Sequence, residues 1–275
     1  MEVNIIAFIA SSTPLLFATL GALVSERAGV LAVCMDGAIN IAGFLAIAFT
    51  IYTGDPVMGF IIACAITMAT LALLALFSEK TGANPFLVGL SVNLFSAGLT
   101  SWLSSSLFGT RGVIALSEFS RQIILPHHVS IWGAWICVGI VYFFFYYTPQ
   151  GMRLRVSANA AEALRARGFS LQVYRIIAWT VASFFASCAG GVIAFSLGAY
   201  VPNLSAGKGW TALAVVFLGR RSILPSIAAV FLFTLAEYLT NTLQGGLGLP
   251  STVILGLPYA IAFIVLVLSS PKVRH

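Results

Sequence analysis

Charged residues are scarce in this sequence: they make up 8% of its 275 residues, while hydrophobic residues make up 60% and the mean hydropathy is +1.02. A soluble domain carries about 25% charged residues, so this chain lacks the polar surface that such a domain needs. In a bilayer an apolar exterior costs nothing, provided that backbone polar groups are paired within each segment. The composition therefore predicts a membrane protein and excludes a soluble globular module.

Residue patterns for several kinds of chemistry are also missing. Adjacent histidines such as His127-His128 point in different directions on a helix or strand, so they make a poor metal site and a solvated loop is favoured. A phosphate-binding loop of the form G-x-x-x-x-G-K-S/T does not occur. We therefore predict no metal site, no catalytic residue and no cofactor bound by this chain. Neither a metal spacing nor a redox pair occurs among the four cysteines, which lie far apart in apolar runs (Cys34, Cys64, Cys137 and Cys188).

Long apolar runs are present instead, and a membrane span needs about 20 apolar residues. The segment from Trp210 to Leu218 is too short to cross alone, and such a half-helix or re-entrant segment is tolerated only inside protein or beside a water-filled cavity. The predicted fold class is all-α, a polytopic transmembrane helical bundle forming one domain over 1–275. Full-length candidate spans are 4–24, 34–53, 58–78, 86–108, 130–148, 175–199, 223–243 and 253–270.

The formal charge of +6 comes from basic residues in the connections between apolar runs, which is typical of membrane orientation and argues against nucleic acid. The connections alternate between the two sides of the membrane, and we assume that the short segment brings the chain back to the cytoplasmic side. The outer side then holds only Arg111, Arg121 and Lys208. This bias predicts an outside N-terminus and a cytoplasmic C-terminus. The predicted cytoplasmic side holds the other eleven: Arg27, Lys80, Arg153, Arg155, Arg165, Arg167, Arg175, Arg220, Arg221, Lys272 and Arg274.

The longest polar connection on the basic side, about 149–174, predicts a helix of about two turns. Asn159 is placed to cap its start and Glu162 to complete a capping box. Arg165 and Arg167 complement the helix dipole at the far end, and Gly168 suits a left-handed exit. A helix this short needs a surface to pack on. Two readings remain open: an ordinary loop helix, or a coupling helix that docks on a cytoplasmic ATPase.

This connection resembles the cytosolic loop of ABC-importer permeases in the branched-chain amino acid and simple-sugar permease family. Three other stretches resemble the nucleoside and simple-sugar branch of that family, in the same order along the chain. They are Thr13–Leu16 leading to Ser25–Leu31, Ala83–Leu94, and Ala206–Ala214 leading to Gly219-Arg220. The sequence departs from that branch at Ala32 and Asp36-Gly37, and at Val156-Ser157-Ala158 in the loop. The first departure concerns the solute more than the fold.

The resemblance implies a multi-pass permease of the bacterial cytoplasmic membrane that imports a small polar solute, most simply a nucleoside or simple sugar. Its expected partners are a cytoplasmic ATP-binding-cassette ATPase that binds ATP and Mg, an extracytoplasmic solute-binding protein, and a second permease in a heterodimer or homodimer. The residues expected to contact the ATPase are Asn159, Ala160, Ala161, Glu162, Ala163, Arg165, Arg167 and Gly168.

Polar groups inside spans are expensive and are candidates for function. Glu237 and Asn241 stand four residues apart on one helix face, as do Asp36 and Asn40. Each pair either lines a hydrated pathway or joins helices by hydrogen bonds. Asn93, in a row with Gly89 and Ala97, is a further candidate, although helix packing is favoured there. Glu26-Arg27 is interpreted as a solvated helix end.

Two other classes of protein remain as alternatives. A stand-alone secondary transporter or channel would show internal symmetry and a deep ionisable relay, yet Asp36 and Glu237 have no obvious basic partner inside a span. A membrane enzyme would need convergent catalytic groups near one interface. Of the three histidines, however, two lie in the predicted outer loop and His275 is terminal.

Overall fold

The computed structural model of the chain describes residues 5–117 and 127–244, which form a helical bundle with one short antiparallel strand pair. Seven of the described helices are long and apolar enough to cross a membrane, namely α1–α5, α8 and α10 below. They match the first seven predicted spans, while the predicted span 253–270 lies outside the described residues. The elements are α1 (Ile5–Arg27), α2 (Met35–Thr53), α3 (Pro56–Thr81), α4 (Pro85–Phe108), β1 (Ile114–Ala115), α5 (His127–Tyr147), α6 (Pro149–Asn159), α7 (Ala161–Ala166), α8 (Leu171–Leu197), β2 (Ala199–Tyr200), α9 (Lys208–Leu218) and α10 (Ile223–Gln244).

Local sequence sets several helix boundaries. Proline occupies the first position of α3 and α4, where its missing N–H leaves no hydrogen bond unmade. The preceding residues cap these helices: a carboxylate oxygen of Asp55 accepts the N–H of Val57, and the amide oxygen of Asn84 accepts the N–H of Phe86, both at 2.9 Å. These short polar connections therefore turn the chain sharply between consecutive spans.

Helices α1, α2 and α8 form the centre of the bundle. Their most apolar windows are 67%, 67% and 61% buried, compared with 22–28% for α3, α4 and α5. Trp179 of α8, with Leu20 and Leu23 of α1 and Ile39 of α2, is among the largest fully buried side chains. Helices α3, α4 and α5 present large apolar side chains outward, as suits a surface in contact with lipid.

Helix α9 is a half-helix. Its 11 residues span about 16 Å, roughly half of a hydrocarbon core about 30 Å thick. After α8 the chain forms β2, passes through the non-helical segment 201–207 and starts α9 beside Asp36. The far end of α9 reaches the end of α1, where Arg221 contacts Glu26. The short helix predicted from sequence is present and begins two residues earlier than predicted.

One end of the bundle collects most of the basic residues, and we call it the basic end. It contains the end of α1, the segment α6–α7 and the turn between α9 and α10, which contact one another through Ala28, Ser157 and Arg221. Val30, which follows α1, shares a small cavity with Glu79 and Arg175, so the end of α3 and the start of α8 lie there too. Lys272 and Arg274 are outside the described residues.

Candidate translocation site and coupling segment

Asp36 caps the start of the half-helix. One of its carboxylate oxygens accepts the backbone N–H of Gly209 at 3.1 Å, and the other accepts the hydroxyl of Ser205 at 3.0 Å. A Cβ at Gly209 would collide with the backbone of Asp36, so glycine permits this approach. A carboxylate at a helix N-terminus is stabilised by the unpaired N–H groups and the helix dipole. Asp36 thus joins α2 to α9 at the point where the segment 201–207 meets the first residue of α9.

Asn40, which lies one turn after Asp36 on α2, forms hydrogen bonds with polar groups of three other residues. Its side-chain oxygen accepts the Tyr200 hydroxyl at 3.2 Å and the N–H of Leu204 at 3.1 Å. Its NH2 group donates to the Thr100 hydroxyl at 3.3 Å. Because non-helical backbone inside a membrane needs internal partners, Asp36 and Asn40 together make the segment 201–207 tolerable. The sequence left two roles open for Asp36 and Asn40: lining a hydrated pathway or joining helices by hydrogen bonds. The contacts that the structure describes for both residues are hydrogen bonds to other segments.

Asn93 holds α4 against the start of α2 and the turn that precedes it. Its side-chain oxygen accepts the N–H of Gly37 at 2.7 Å, and its NH2 group donates to the carbonyl of Val33 at 2.8 Å. Gly89 packs one turn below, where a Cβ would lie 3.0 Å from the nitrogen of Cys34. Asn93 lies about 12 Å along α4 from its start. The first turn of α2, which contains Asp36, therefore lies about 12 Å from the start of α4 and away from the basic end.

Glu237 has a basic partner that the sequence did not reveal. The Nζ of Lys208 lies 2.9 and 3.3 Å from the two carboxylate oxygens of Glu237. The side chains are 21% and 45% exposed, respectively. One expectation is thereby corrected, because Glu237 is paired, and its partner Lys208 is the first residue of the half-helix α9. Asn241 is part of α10, but its side chain lies outside the described residues.

The candidate coupling segment, residues 149–174, contains the two short helices α6 and α7, where the sequence predicted one. Helix α6 runs through Asn159, so the N-cap of α7 is Ala160, which makes no side-chain capping bond. The predicted Asn159–Glu162 capping box is therefore wrong, because Asn159 is already the last residue of α6. Helix α7 does end as predicted, at a left-handed Gly168 with a φ of 77°.

One face of α7 packs against the protein and the opposite face is exposed. Leu164 is 3% exposed and packs into the protein. The guanidinium of Arg153 in α6 stacks over the ring of Phe169, 4.2 Å from its centroid, and so fixes the exit of α7. Ala161 is half-buried, and nothing is described for the side chain of Ala163. The outward residues are Ala160, Glu162, Arg165, Ala166, Arg167 and Gly168.

Burial of Glu26 and Arg27 corrects a further expectation. These residues are 8% and 9% exposed, so they are not a solvated helix end. Sequence reasoning also missed Tyr200 and Ser205, which bind Asn40 and Asp36. The clue available for Ser205 was its position in the glycine-rich stretch before the short helix. Tyr200 had no comparable signal.

Seven long apolar helices and a half-helix held by buried polar contacts are the architecture of a multi-pass membrane protein. Residues 4–269 match the family described as branched-chain amino acid transport system / permease component, and the chain belongs to this family. Its members are membrane subunits of ABC transporters whose ATPase is a separate subunit, so this chain is a permease and not an enzyme. The family prediction made from the motifs is confirmed.

Known relatives resemble the chain over most of its length. The guanosine ABC transporter permease protein NupQ of Bacillus subtilis is 22% identical, over 97% of this chain and 91% of NupQ. TsgC13 of Haloferax volcanii, provisionally named a glucose ABC transporter permease, is 25% identical over 85% of this chain and 75% of its own. The fold resembles that of PsaBC from Streptococcus pneumoniae, with a TM-score of 0.58, 14% identity and coverage of 98% and 92%.

Proposed function

We propose that this permease imports a small polar solute of the nucleoside or simple-sugar class. The solute class is supported by the similarity to NupQ, a guanosine permease, and to TsgC13, named for glucose. An extracytoplasmic binding protein delivers the solute, and a cytoplasmic ATP-binding-cassette ATPase, which binds ATP and Mg, drives the cycle. The permease works beside a second permease, identical or different, and binds no cofactor itself.

The basic end faces the cytoplasm in this proposal. Basic residues near span ends favour the cytoplasmic side, and nine of the eleven residues assigned to that side lie in the described residues at or near the basic end. The outer set holds the three basic residues Arg111, Arg121 and Lys208. The N-terminus is then outside and the C-terminus cytoplasmic.

The exposed face of α7 at the basic end is the observation that carries the coupling role. A six-residue helix has little stability alone, yet Leu164 and Phe169 fix it with charged residues turned outward. The segment 159–168 is therefore the proposed docking site for the ATPase. Glu162, Arg165 and Arg167 supply charges of both signs for recognition. ATP-dependent movement of the ATPases then changes the relative populations of outward- and inward-facing states.

The translocation pathway passes the start of α9. Lys208 and Glu237 keep part of their side chains accessible at mid-depth, so they are the proposed solute-facing groups, with Asn241 one turn beyond on α10. Asp36, Asn40 and Asn93 form the wall that holds the half-helix in place. Ion-paired side chains with remaining exposure offer donors and acceptors to hydroxyl-rich solutes without leaving an unpaired charge in the membrane.

ATPase association tests the docking site. Ala166→Trp and Glu162→Arg should each abolish co-purification of the ATPase with the permease complex, because bulk or reversed charge blocks the exposed face of α7. Lys80→Trp is the matched control, since Lys80 is also exposed at the basic end but belongs to α3. Normal membrane insertion with lost association supports the assignment. ATPase retention and full transport in both α7 variants would refute it.

A further inference from the structure

Glu26 and Arg27, the last two residues of α1, lie at the junction of the coupling segment and the half-helix. Charged side chains are rarely this buried unless they are paired, and both residues are more than nine-tenths buried. Their partners come from two distant parts of the chain, the turn between α9 and α10 and the end of α5, and the next residue, Ala28, contacts α6. The end of α1 therefore touches the two segments that the transport cycle has to connect.

The first set of contacts holds the turn at the end of the half-helix. A carboxylate oxygen of Glu26 lies 2.7 Å from the Nη2 of Arg221, and the Nε of Arg27 donates to the Arg221 carbonyl oxygen at 2.8 Å. Arg220 and Arg221 have φ angles of 51° and 57°. Non-glycine residues adopt this left-handed conformation when surrounding contacts hold them there. The position of this turn is thus tied to α1 by side-chain and backbone contacts together.

The second set of contacts holds the coupling segment. The guanidinium of Arg27 lies 4.8 Å from the ring centroid of Phe145, near the end of α5. The buried Ser157 hydroxyl of α6 lies 3.1 Å from the carbonyl oxygen of Ala28. Gly29 has a φ of 77°, and a Cβ there would be 2.9 Å from the Cα of Ala158. Since α7 follows α6 directly, displacement of α7 acts on the end of α1.

We propose that Glu26 and Arg27 are positioning residues that transmit movement of α6–α7 to the half-helix α9. The contacts form one continuous path. Helix α6 contacts Ala28 and Gly29 after the end of α1, and Glu26 and Arg27 of α1 bind Arg221. The other end of α9 is bound to Asp36. Because α9 spans only about half of the membrane, a shift at its basic end reaches the polar groups at its start. This inference rests on the proposed docking of the ATPase at α7.

The test is the number of ATP molecules hydrolysed per solute transported by the reconstituted complex of permease, ATPase and binding protein. Arg221→Ala should keep the ATPase bound and hydrolysis near the parent rate, while the ATP-to-solute ratio rises by about fivefold to tenfold, as loss of a coupling contact predicts. Arg221→Lys, which retains a cation for Glu26, should restore most of the coupling. The Arg221 side chain is 56% exposed, so its truncation leaves little buried volume empty.

The matched control is the ion pair between Arg175 and Glu79, 3.4 Å apart, which joins α8 to α3 at the same end. Arg175→Ala should leave the ratio unchanged. An unchanged ratio in Arg221→Ala, an equal rise in Arg175→Ala, or loss of ATPase binding in Arg221→Ala would overturn the proposal. If Arg221→Ala does not accumulate, Glu26→Gln replaces it, because this variant removes the charge on Glu26 and preserves the side-chain size. It should raise the ATP-to-solute ratio in the same way. Retained ATPase binding in the α7 variants would instead contradict the docking site.

Discussion

Asn40 offers the sharpest test of how the non-helical segment is held inside the membrane. The Asn40→Leu substitution keeps the side-chain size but removes the acceptor for the Tyr200 hydroxyl and the Leu204 N–H. Each buried donor left without a partner costs about 1–3 kcal/mol, so the loss of the acceptor for two donors should destabilise the variant by about 2–6 kcal/mol. With about 2–4 °C per kcal/mol for a domain near this size, its Tm should fall by roughly 4–24 °C.

Thermal unfolding of the purified permease in detergent measures this loss, followed by size-exclusion profiles of heated samples. Tyr200→Phe removes a single bond and should cost about 1 kcal/mol. The double variant should cost less than the sum, with a coupling energy of about 0.6–1.7 kcal/mol, as for hydrogen bonds between membrane helices. Strict additivity, or an Asn40→Leu variant with the parent Tm, would refute the hydrogen-bonding role of Asn40.

Further predictions concern the contact of α6 with Gly29, at the end of α1, and the ion pair between Lys208 and Glu237. Gly29→Ala should destabilise the protein by about 1–3 kcal/mol, because Gly29 has a positive φ and its backbone lies close to Ala158. The control is Gly98→Ala, at a helical site where an added Cβ would meet no atom within 4 Å. This variant should be neutral or stabilising in the same melting assay. Lys208→Met should reduce uptake about tenfold or more by leaving Glu237 unpaired, whereas Lys208→Arg should retain most uptake; equal uptake by both variants would remove the pair from the pathway.

The spans were predictable because their signals are local. Apolar runs interrupted by Gly54-Asp55-Pro56 or by Gly82-Ala83-Asn84-Pro85 indicate where helices stop and restart, and the helices end and begin at these residues. The half-helix was predictable from its length alone, since a run from Trp210 to Leu218 cannot cross a bilayer.

The errors arose where long-range contacts decide the outcome. Glu26 and Arg27 read as a solvated helix end, but Arg27 bonds to Arg221, which lies 194 residues away in sequence. The pairing of Glu237 with Lys208 was missed because the two residues lie 29 positions apart, on different helices. At Asn159 a correct local preference for capping yielded to the continuation of α6 through that residue. In each case, tertiary packing overrode a local pattern.

Uptake into proteoliposomes tests the central claim most directly. The permease, its ATPase and its second permease would be reconstituted with ATP inside, and labelled guanosine or glucose presented outside with the binding protein. The account predicts uptake that requires both ATP and the binding protein and that is lost in Ala166→Trp. Equal uptake by the permease alone, without ATP, would contradict it and identify a stand-alone transporter.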